Sequence, residues 1–531
     1  MNAAQVTNLA NLLASTACLY PHHPALIAGD RTWTWSEIDA RVNAMVAALR
    51  AMGIRKGDKI LMQSRNNVQM FEFCWVAFRL GCVWVPTNFR LTPPEVAYLG
   101  ASSNAVAMVV EDLFPEHTDA VRAESRDLRH VIAIGSPRSG EHSYEDLVAR
   151  HAGAPSQPET VQAGDPLWFF YTSGTTGKPK AGILTHNQMD FVVNNHLADL
   201  IPGTYETDRS IVVAPLSHGA GIHALLNVAR GAASILLPSE KFDPEVFWQL
   251  VEQHRVTNLF TVPTIVKMLV EHPAVDQYDH SSLRYVIYAG APMYRADQKL
   301  ALQKLGKVLI QYFGLGEVTG NITFLPPHMH SADDSDPNAH IGSCGFVRTG
   351  MEVAILDDKG HEIPRGAIGE ICARGPAVFE GYYGNPEATA KALRGGWFHT
   401  GDLGRMDDRG LLYITGRESD MYISGGSNVY PREVEEVLLT HPGVAEIAIV
   451  GMPDPKWGEI GVAVVVRRAG VDPVDEAALL GFLEGRSAKY RWPRRFVFWD
   501  VMPKSGYGKI VKKDIKVLLV ERGDIEDMKL Q

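Results

Sequence analysis

The sequence predicts an α/β protein with a large N-terminal domain of two doubly wound βαβ sheets, a small β-barrel-like subdomain, and an α+β C-terminal domain. The chain has 531 residues, which is too long for a single hydrophobic core. Short apolar runs alternate with amphipathic stretches of helix length through most of the chain, as in repeated βαβ units. Nearer the C-terminus this alternation of apolar runs and amphipathic stretches gives way twice to a different pattern. The first change indicates the subdomain and the second indicates the C-terminal domain.

The βαβ part is predicted from apolar runs of strand length, namely 59–63, 106–110, 130–134, 210–214 and 234–238. Between about 345 and 413, Gly-rich turns surround short alternating runs such as 352–356 and 369–373, which predicts a small antiparallel subdomain.

The last 110 residues or so predict a compact α+β unit. Its predicted helices are 431–439 and 474–484, and its predicted strands are 445–452 and 461–467. We therefore expect an N-terminal domain at 1–416, a hinge at 417–420 and a C-terminal domain at 421–531.

Composition excludes several classes of protein. Hydrophobic residues make up 46% and charged residues 21%, which is ordinary for a globular chain. The formal net charge of -10 argues against nonspecific nucleic-acid binding. The five cysteines form no CxxC pair, so we expect a reduced cytoplasmic chain without a zinc site; they are Cys18, Cys74, Cys82, Cys344 and Cys372.

Targeting signals are weak. Residues 15–18 resemble a lipoprotein cleavage site, but no basic leader precedes them. No stretch approaches the ~20 apolar residues that span a bilayer, so we expect no transmembrane segment. Peripheral membrane contact and a homodimer are left open.

A Ser/Thr/Gly/Lys loop at 171–180 follows the strand-like run 167–170. Glycines let backbone N–H groups approach phosphate oxygens, and hydroxyls and lysines add hydrogen bonds and positive charge. The loop is not an ATPase P-loop, because Lys178 is followed by Pro179. Taken alone it is equally typical of a flexible surface loop. The predicted phosphate-binding residues are Thr172, Ser173, Gly174, Thr175, Thr176, Gly177, Lys178 and Lys180.

This loop resembles the signature of the adenylate-forming (AMP-binding) superfamily, which comprises acyl- and aryl-CoA synthetases, peptide-synthetase adenylation domains and luciferases. Six further segments resemble its motifs in the same order, at 215–223, 288–292, 311–317, 397–403, 416–420 and 502–510. The resemblance implies an acyl-CoA synthetase that uses ATP, Mg²⁺ and coenzyme A to activate a carboxylic acid as an acyl-adenylate. It also implies that the C-terminal domain is mobile.

The resemblance assigns roles in the N-terminal domain. By the resemblance Glu317 and Thr176 bind Mg²⁺, and Phe313 stacks on adenine. Its neighbours Tyr312 and Gly314 are also assigned to ATP/AMP binding. The wall of the adenine pocket falls on Gly290, Ala291 and Pro292. The acyl pocket falls on His218, Gly219, His223, Thr261, Ala289, Gly290 and Gly314, with His218 counted as catalytic.

Further roles fall near and beyond the hinge. Asp402 matches the ribose-binding aspartate, Arg417 lies near ribose or phosphate, and Lys509 matches the adenylation lysine. The predicted coenzyme A contacts are Gly425, Gly426, Trp457 and Arg494. Each of these has a plain alternative interpretation as a turn, a packed ring or a solvated charge.

Two positions depart from the superfamily pattern. Gly316 replaces a threonine that commonly touches phosphate, and Thr319 or the backbone is expected to compensate. Ser419 stands where the pivot is usually Asp or Lys, which makes Asp420 an alternative pivot.

The motifs specify the acyl acceptor and the carboxylic acid substrate less closely than they specify adenylate formation. The chain ends at Gln531 without a carrier module, and this favours coenzyme A over a carrier protein. A luciferase-like oxidase and a catalytically degenerate nucleotide-binding regulator are weaker alternatives. Predicted pocket residues are small or apolar, so we expect an alkyl (fatty) or aryl monocarboxylic acid.

Overall fold

The computed structural model describes residues 5–172, 178–239, 241–291, 293–337, 339–504 and 510–525. In chain order the strands are β1 (Gln5–Val6), β2 (Pro24–Ala28), β3 (Arg31–Thr34), β4 (Lys59–Gln63), β5 (Val83–Pro86), β6 (Ala105–Glu111), β7 (His130–Ile134), β8 (His142–Ser143), β9 (Val161–Gln162), β10 (Pro166–Thr172), β11 (Lys180–Thr185), β12 (Arg209–Val212), β13 (Ala233–Leu236), β14 (Asn258–Thr261), β15 (Tyr285–Tyr288), β16 (Leu309–Phe313), β17 (Thr323–Leu325), β18 (Ser343–Val347), β19 (Glu352–Leu356), β20 (Gly369–Arg374), β21 (Phe398–Met406), β22 (Leu412–Arg417), β23 (Tyr422–Ser424), β24 (Ser427–Val429), β25 (Val444–Asp454), β26 (Gly458–Arg467) and β27 (Arg495–Trp499).

The α-helices are α1 (Asn11–Leu19), α2 (Trp35–Ala51), α3 (Val68–Arg79), α4 (Pro93–Ser103), α5 (Pro115–Glu124), α6 (Tyr144–Arg150), α7 (His186–Asp199), α8 (Gly219–Val228), α9 (Pro244–His254), α10 (Pro263–Glu271), α11 (Arg295–Leu305), α12 (Pro386–Ala392), α13 (Pro431–Leu439), α14 (Glu476–Leu483) and α15 (Lys512–Glu521).

Two large sheets form the N-terminal part, as predicted. The first has seven strands in the order β11-β10-β5-β4-β6-β7-β8 and is parallel except at β10–β11. The second has thirteen strands in the order β19-β20-β21-β22-β18-β17-β16-β15-β14-β12-β13-β2-β3. Its middle, from β16 to β2, is parallel, which is typical of βαβ units covered by helices on both faces.

The Gly-rich segment forms antiparallel strands, also as predicted. They continue the edge of the second sheet, because β17 pairs with both β16 and β18 and β18 pairs with β22. A separate sheet in the C-terminal part has five strands in the described residues, with β24-β23-β26-β25 in order and β27 beside β26. The short strands β1 and β9 pair with each other as a two-stranded antiparallel sheet. The domain boundary at 417–420 stays a prediction.

Local signals explain where several helices begin. Thr34 opens α2 with a capping box, since its hydroxyl accepts the Glu37 N–H and the Glu37 carboxylate accepts the Thr34 N–H. Thr185 and Gln188 form the same box at α7, which fixes the turn directly after β11. Strands such as β4 and β6 are buried along most of their length, which is why they read as unbroken apolar runs.

A buried ion pair holds the helices that cover the first sheet. Arg41 on α2 donates to both Glu72 oxygens at 2.8 Å and reaches Glu145 at 2.7 Å. The Glu72 side chain is fully buried, whereas that of Glu145 is half exposed. Burial raises the pKa of the Glu72 carboxyl, and the two hydrogen bonds and the charge of Arg41 oppose that rise.

Replacing Glu72 with Ala is expected to lower the free energy of unfolding by about 3–5 kcal/mol, because it leaves Arg41 buried with one half-exposed partner. Glu145→Ala is the matched control, since it removes a partner of the same arginine at the surface and is expected to cost below about 1 kcal/mol. Urea unfolding of both variants measures the difference. Equal losses would contradict the assignment.

No helix in the described part of the chain is long and apolar enough to cross a membrane.

Candidate active site

Several predicted site residues lie at the carboxyl ends of the parallel strands of the second sheet. Thr261, Tyr288 and Phe313 are the last residues of β14, β15 and β16, and the loops that follow carry the predicted adenine and acyl positions. Open α/β sheets bind ligands at this edge. The β10–β11 hairpin brings Thr172 and Lys180, which flank the predicted phosphate-binding glycines, near Glu317 and Tyr382.

Glu317 is the centre of the polar part. It lies in a single 3-10 turn after β16 and is buried. Its Oε1 accepts hydrogen bonds from the Thr172 hydroxyl and the Tyr382 hydroxyl, both at 2.8 Å. Among the described residues, Oε2 accepts no hydrogen bond. A buried carboxylate with one oxygen fixed and the other unengaged fits a hard cation such as Mg²⁺.

Tyr382 was missed by the sequence analysis. Its backbone bridges to Gly182 on β11, and the Lys180 ammonium lies 4.8 Å from the centre of its ring. Burial and the adjacent Glu317 carboxylate raise the Tyr382 pKa well above its ordinary value. The phenol therefore stays protonated and donates to Glu317 at neutral pH. The run Gly381-Tyr-Tyr-Gly384 was a local hint of a turn, but nothing in it pointed to residue 317.

Packing explains the first departure from the superfamily. A Cβ at Gly316 would lie 2.6 Å from the Phe170 ring and 2.9 Å from the Thr172 methyl group. A threonine there would therefore displace both neighbours. The expected compensation by Thr319 stays a prediction; its hydroxyl is buried and has no hydrogen-bond partner in the described part of the chain.

Aromatic rings surround the predicted acyl pocket. The His218 ring lies 4.3 Å from that of Phe170, and His218 is the residue before α8. His223, one turn into α8, is buried and its Nε2 lies 2.8 Å from Asn258 Oδ1. Burial lowers the pKa of His223 to about 4, so its ring is neutral at physiological pH. At that pH His223 would therefore be a fixed, neutral wall of the predicted acyl pocket and would not carry a proton.

The predicted adenine wall follows β15 directly. Ala289 N–H donates to Thr261 O at 3.2 Å, which ties this loop to β14. Gly290 has a φ of +83°, a conformation that a residue with a Cβ rarely adopts. Ala291 follows in the same loop, and Pro292 lies outside the described residues.

The predicted ribose site joins β21 to β22. Asp402 is buried, and its Oδ1 accepts a hydrogen bond from Arg417 Nε at 3.1 Å. The preceding Gly401 N–H donates to Glu370 Oε1 at 3.0 Å. Glu370 Oε2 lies 2.7 Å from His399 Nδ1 and also accepts from Arg394. This network fixes the part of β21 that carries the Asp402 carboxylate.

Glu370 and His399 also lie near Cys372, whose sulfur is 3.3 Å from His399 Nδ1. Such a group has the donor atoms of a metal site. Its donor atoms are already hydrogen-bonded to one another and to the Gly401 N–H, and Arg394 adds a positive charge beside Glu370. We therefore interpret the group as support for Asp402.

Three of the predicted coenzyme A residues cluster in the C-terminal part. Gly425 N–H donates to Trp457 O at 2.9 Å, and a Cβ at Gly425 would lie 2.8 Å from the Trp457 ring. The Arg494 guanidinium lies 4.7 Å from that ring, and Lys456 flanks it at 5.2 Å. Two glycines, an indole ring and two cations therefore lie together; an indole can stack on a base, and cations can pair with phosphates.

The remaining predicted residues divide into two groups. Lys178 lies over the Tyr98 ring at 4.9 Å, and Ser419 is exposed beside Asp420. The predictions that lie outside the described residues are Ser173, Gly174, Thr175, Thr176, Gly177, Pro292 and Lys509.

The two large sheets, with the buried carboxylates of Glu317 and Asp402, form the arrangement that the sequence predicts for an adenylate-forming enzyme. The AMP-binding enzyme family profile matches residues 13–383, and the AMP-binding enzyme C-terminal domain profile matches 433–509. The chain therefore belongs to the AMP-binding enzyme family, and the predicted superfamily is confirmed.

Named relatives cover nearly the whole chain. Feruloyl-CoA synthase from Amycolatopsis sp is 36% identical, with 94% of this chain and 96% of the relative aligned. Long-chain-fatty-acid–CoA ligase FadD13 from Mycobacterium tuberculosis is 33% identical, with 95% and 97% aligned. The amide bond synthetase McbA from Marinactinospora thermotolerans has a similar structure, with a TM-score of 0.87, 29% identity, and 96% and 99% coverage.

Proposed function

We propose that this chain is an acyl-CoA synthetase that converts a monocarboxylic acid, ATP and coenzyme A into acyl-CoA, AMP and diphosphate through an acyl-adenylate. The contacts of Thr172 and Tyr382 with the buried Glu317 carboxylate carry the proposal. Thr172 belongs to the predicted phosphate-binding segment, and a buried carboxylate beside it supports binding of the Mg²⁺ that accompanies ATP phosphates. The relatives that form CoA thioesters support coenzyme A as the acceptor.

In the first half-reaction the acid's carboxylate oxygen attacks the α-phosphorus of ATP, and diphosphate leaves with the bond electrons. Mg²⁺, held by Glu317, would offset the negative charge on the phosphates. Asp402 orients the ribose by accepting its hydroxyl hydrogens, and Arg417 supports Asp402. Lys509 and the loop hydroxyls stabilise charge that develops on the α-phosphate.

In the second half-reaction the coenzyme A thiolate attacks the acyl carbon of the adenylate, and AMP leaves. The thiol proton passes to solvent. The Gly425–Gly426 strip lets the narrow pantetheine arm approach, and Trp457 with Arg494 holds the nucleotide end. Rotation about residues 417–420 exchanges Lys509 for this strip between the two steps.

The proposal is tested by adding ATP, Mg²⁺ and a panel of carboxylic acids, and measuring diphosphate release with and without coenzyme A. We expect slow release without coenzyme A, multiple turnovers with it, and a thioester detectable by mass spectrometry. An amine such as ammonia or an alkylamine, offered in place of coenzyme A, is the acceptor control. Absence of diphosphate release with every acid would refute the proposed function.

A further inference from the structure

Two aromatic pairs bound the predicted acyl pocket. Phe170 and His218 have ring centres 4.3 Å apart with planes at 34°, and Phe260 and Tyr312 have centres 5.8 Å apart with planes at 28°. The pairs lie against glycine backbone, since a Cβ at Gly219 would lie 2.6 Å from the Phe260 ring. The lining is therefore flat, aromatic and narrow.

The space behind Phe260 is closed. The cavity there, lined by Ser210, His223 and Ser234 among others, has a volume of ≈ 10 Å³. That is room for about one water molecule and not for an alkyl tail. Moving the His223 ring to enlarge this cavity would break its hydrogen bond with Asn258 inside the protein.

The space behind Tyr312 is closed as well. Its ring is buried, and the His196 ring meets it at 5.8 Å in an edge-on arrangement with an angle of 84°. Burial raises the pKa of Tyr312, so it is a neutral phenol. Burial and the charge of Arg348 lower the pKa of His196, and Arg348 is itself fully buried and paired with Asp199 at 2.9 Å. An ion pair is a poor surface for an alkyl chain, because displacing its partner leaves a buried charge.

We propose that Phe260 and Tyr312 are the end wall of a shallow aromatic slot, which makes the substrate a planar aryl or arylalkenoic acid and excludes long-chain fatty acids. Aromatic rings prefer offset-stacked or edge-on contact with one another, so two ring pairs suit a flat ring between them. The inference rests on the proposed function, because it assumes that an acid is adenylated here.

The wild-type enzyme tests this with four acids, namely benzoate, cinnamate, hexanoate and palmitate, by kcat/KM for diphosphate release in the presence of coenzyme A. We expect cinnamate or benzoate to exceed palmitate by about a hundredfold or more. Palmitate at or above the aryl acids, or hexanoate above both of them, would overturn the inference while leaving the proposed function intact. No release with any acid would instead refute the proposed function.

Variants of Phe260 and Tyr312 test whether these residues set the length of acid that the slot accepts. Tyr312→Ala and Phe260→Ala are expected to raise the ratio of kcat/KM for decanoate over cinnamate by about tenfold or more. Tyr312→Leu keeps most of the volume and serves if the alanine variant does not fold. Phe114→Ala, whose ring packs on His117 beside the first sheet, is the control and should leave the ratio unchanged. An unchanged ratio in folded wall variants would overturn the assignment of the wall, and the wild-type series decides the substrate class by itself.

Discussion

Replacing Glu317 with Gln is expected to lower the rate of acyl-adenylate formation by about 10²–10³-fold. The amide keeps an oxygen that can accept the hydroxyls of Thr172 and Tyr382, so local packing is retained. What it removes is the negative charge that would bind Mg²⁺ with the ATP phosphates. The loss should therefore appear mainly as a higher Mg²⁺ concentration for half-maximal activity, with a lower rate at saturation.

The measurement is diphosphate release at saturating acid and ATP over a titration of Mg²⁺. Tyr382→Phe is the matched control, because it removes one of the two hydroxyls that donate to Glu317 Oε1 and leaves the negative charge of Glu317 in place. We expect it to lose about tenfold or less, the cost of one hydrogen bond, with little change in the Mg²⁺ dependence. A Gln variant with wild-type Mg²⁺ dependence would contradict the role given to Glu317.

The sequence predicted most of what depends on local pattern. Strands 59–63, 130–134 and 352–356 and the helix at 431–439 match the observed bounds, because buried strands and a Pro-initiated helix leave strong local signals. Four of the seven motifs lie wholly within the described residues, namely 215–223, 311–317, 397–403 and 416–420. They lie in strands of the second sheet or in the loops that follow those strands, where open α/β sheets carry their ligand-binding residues.

Contacts between distant residues could not be predicted. Tyr382 contacts Glu317 across 65 positions. Two long-range backbone contacts bring them together: the bridge between Tyr382 and Gly182 on β11, and the Phe379 N–H that donates to Glu317 O at 2.8 Å. The stack of Phe260 on Tyr312 depends on the registers of three neighbouring strands. Periodicity shows that a residue is buried but not which ring it meets.

Gly316 shows how structure changes the meaning of a motif. By sequence it marked a missing hydroxyl near the phosphates and so weakened the expectation of catalysis. In the fold it makes room for Phe170, which packs on His218 at the acyl pocket. On the proposed pocket, the glycine therefore bears on acid binding, because it gives Phe170 room beside His218.

Replacing Lys509 with Ala is expected to slow acyl-adenylate formation by about 10²–10³-fold or more, and to slow thioester formation from supplied acyl-adenylate by less than about tenfold. Lys509 lies outside the described residues, and its role comes from the motif at 502–510. A cation that stabilises the charge on the α-phosphate during adenylate formation is not needed for the thioester step, which follows the departure of diphosphate. Domain rotation would then carry it away from the adenylate.

The two half-reactions are measured separately, as diphosphate release without coenzyme A and as thioester formation from synthetic acyl-adenylate. Lys504→Ala is the matched control, because Lys504 lies in the same motif but is paired with Glu446 at 2.8 Å. It should keep both half-reactions near the wild-type rate, since a partly exposed pair contributes little. Equal losses in both steps for Lys509→Ala would contradict alternation, because a lysine that never leaves the adenylate would be needed throughout.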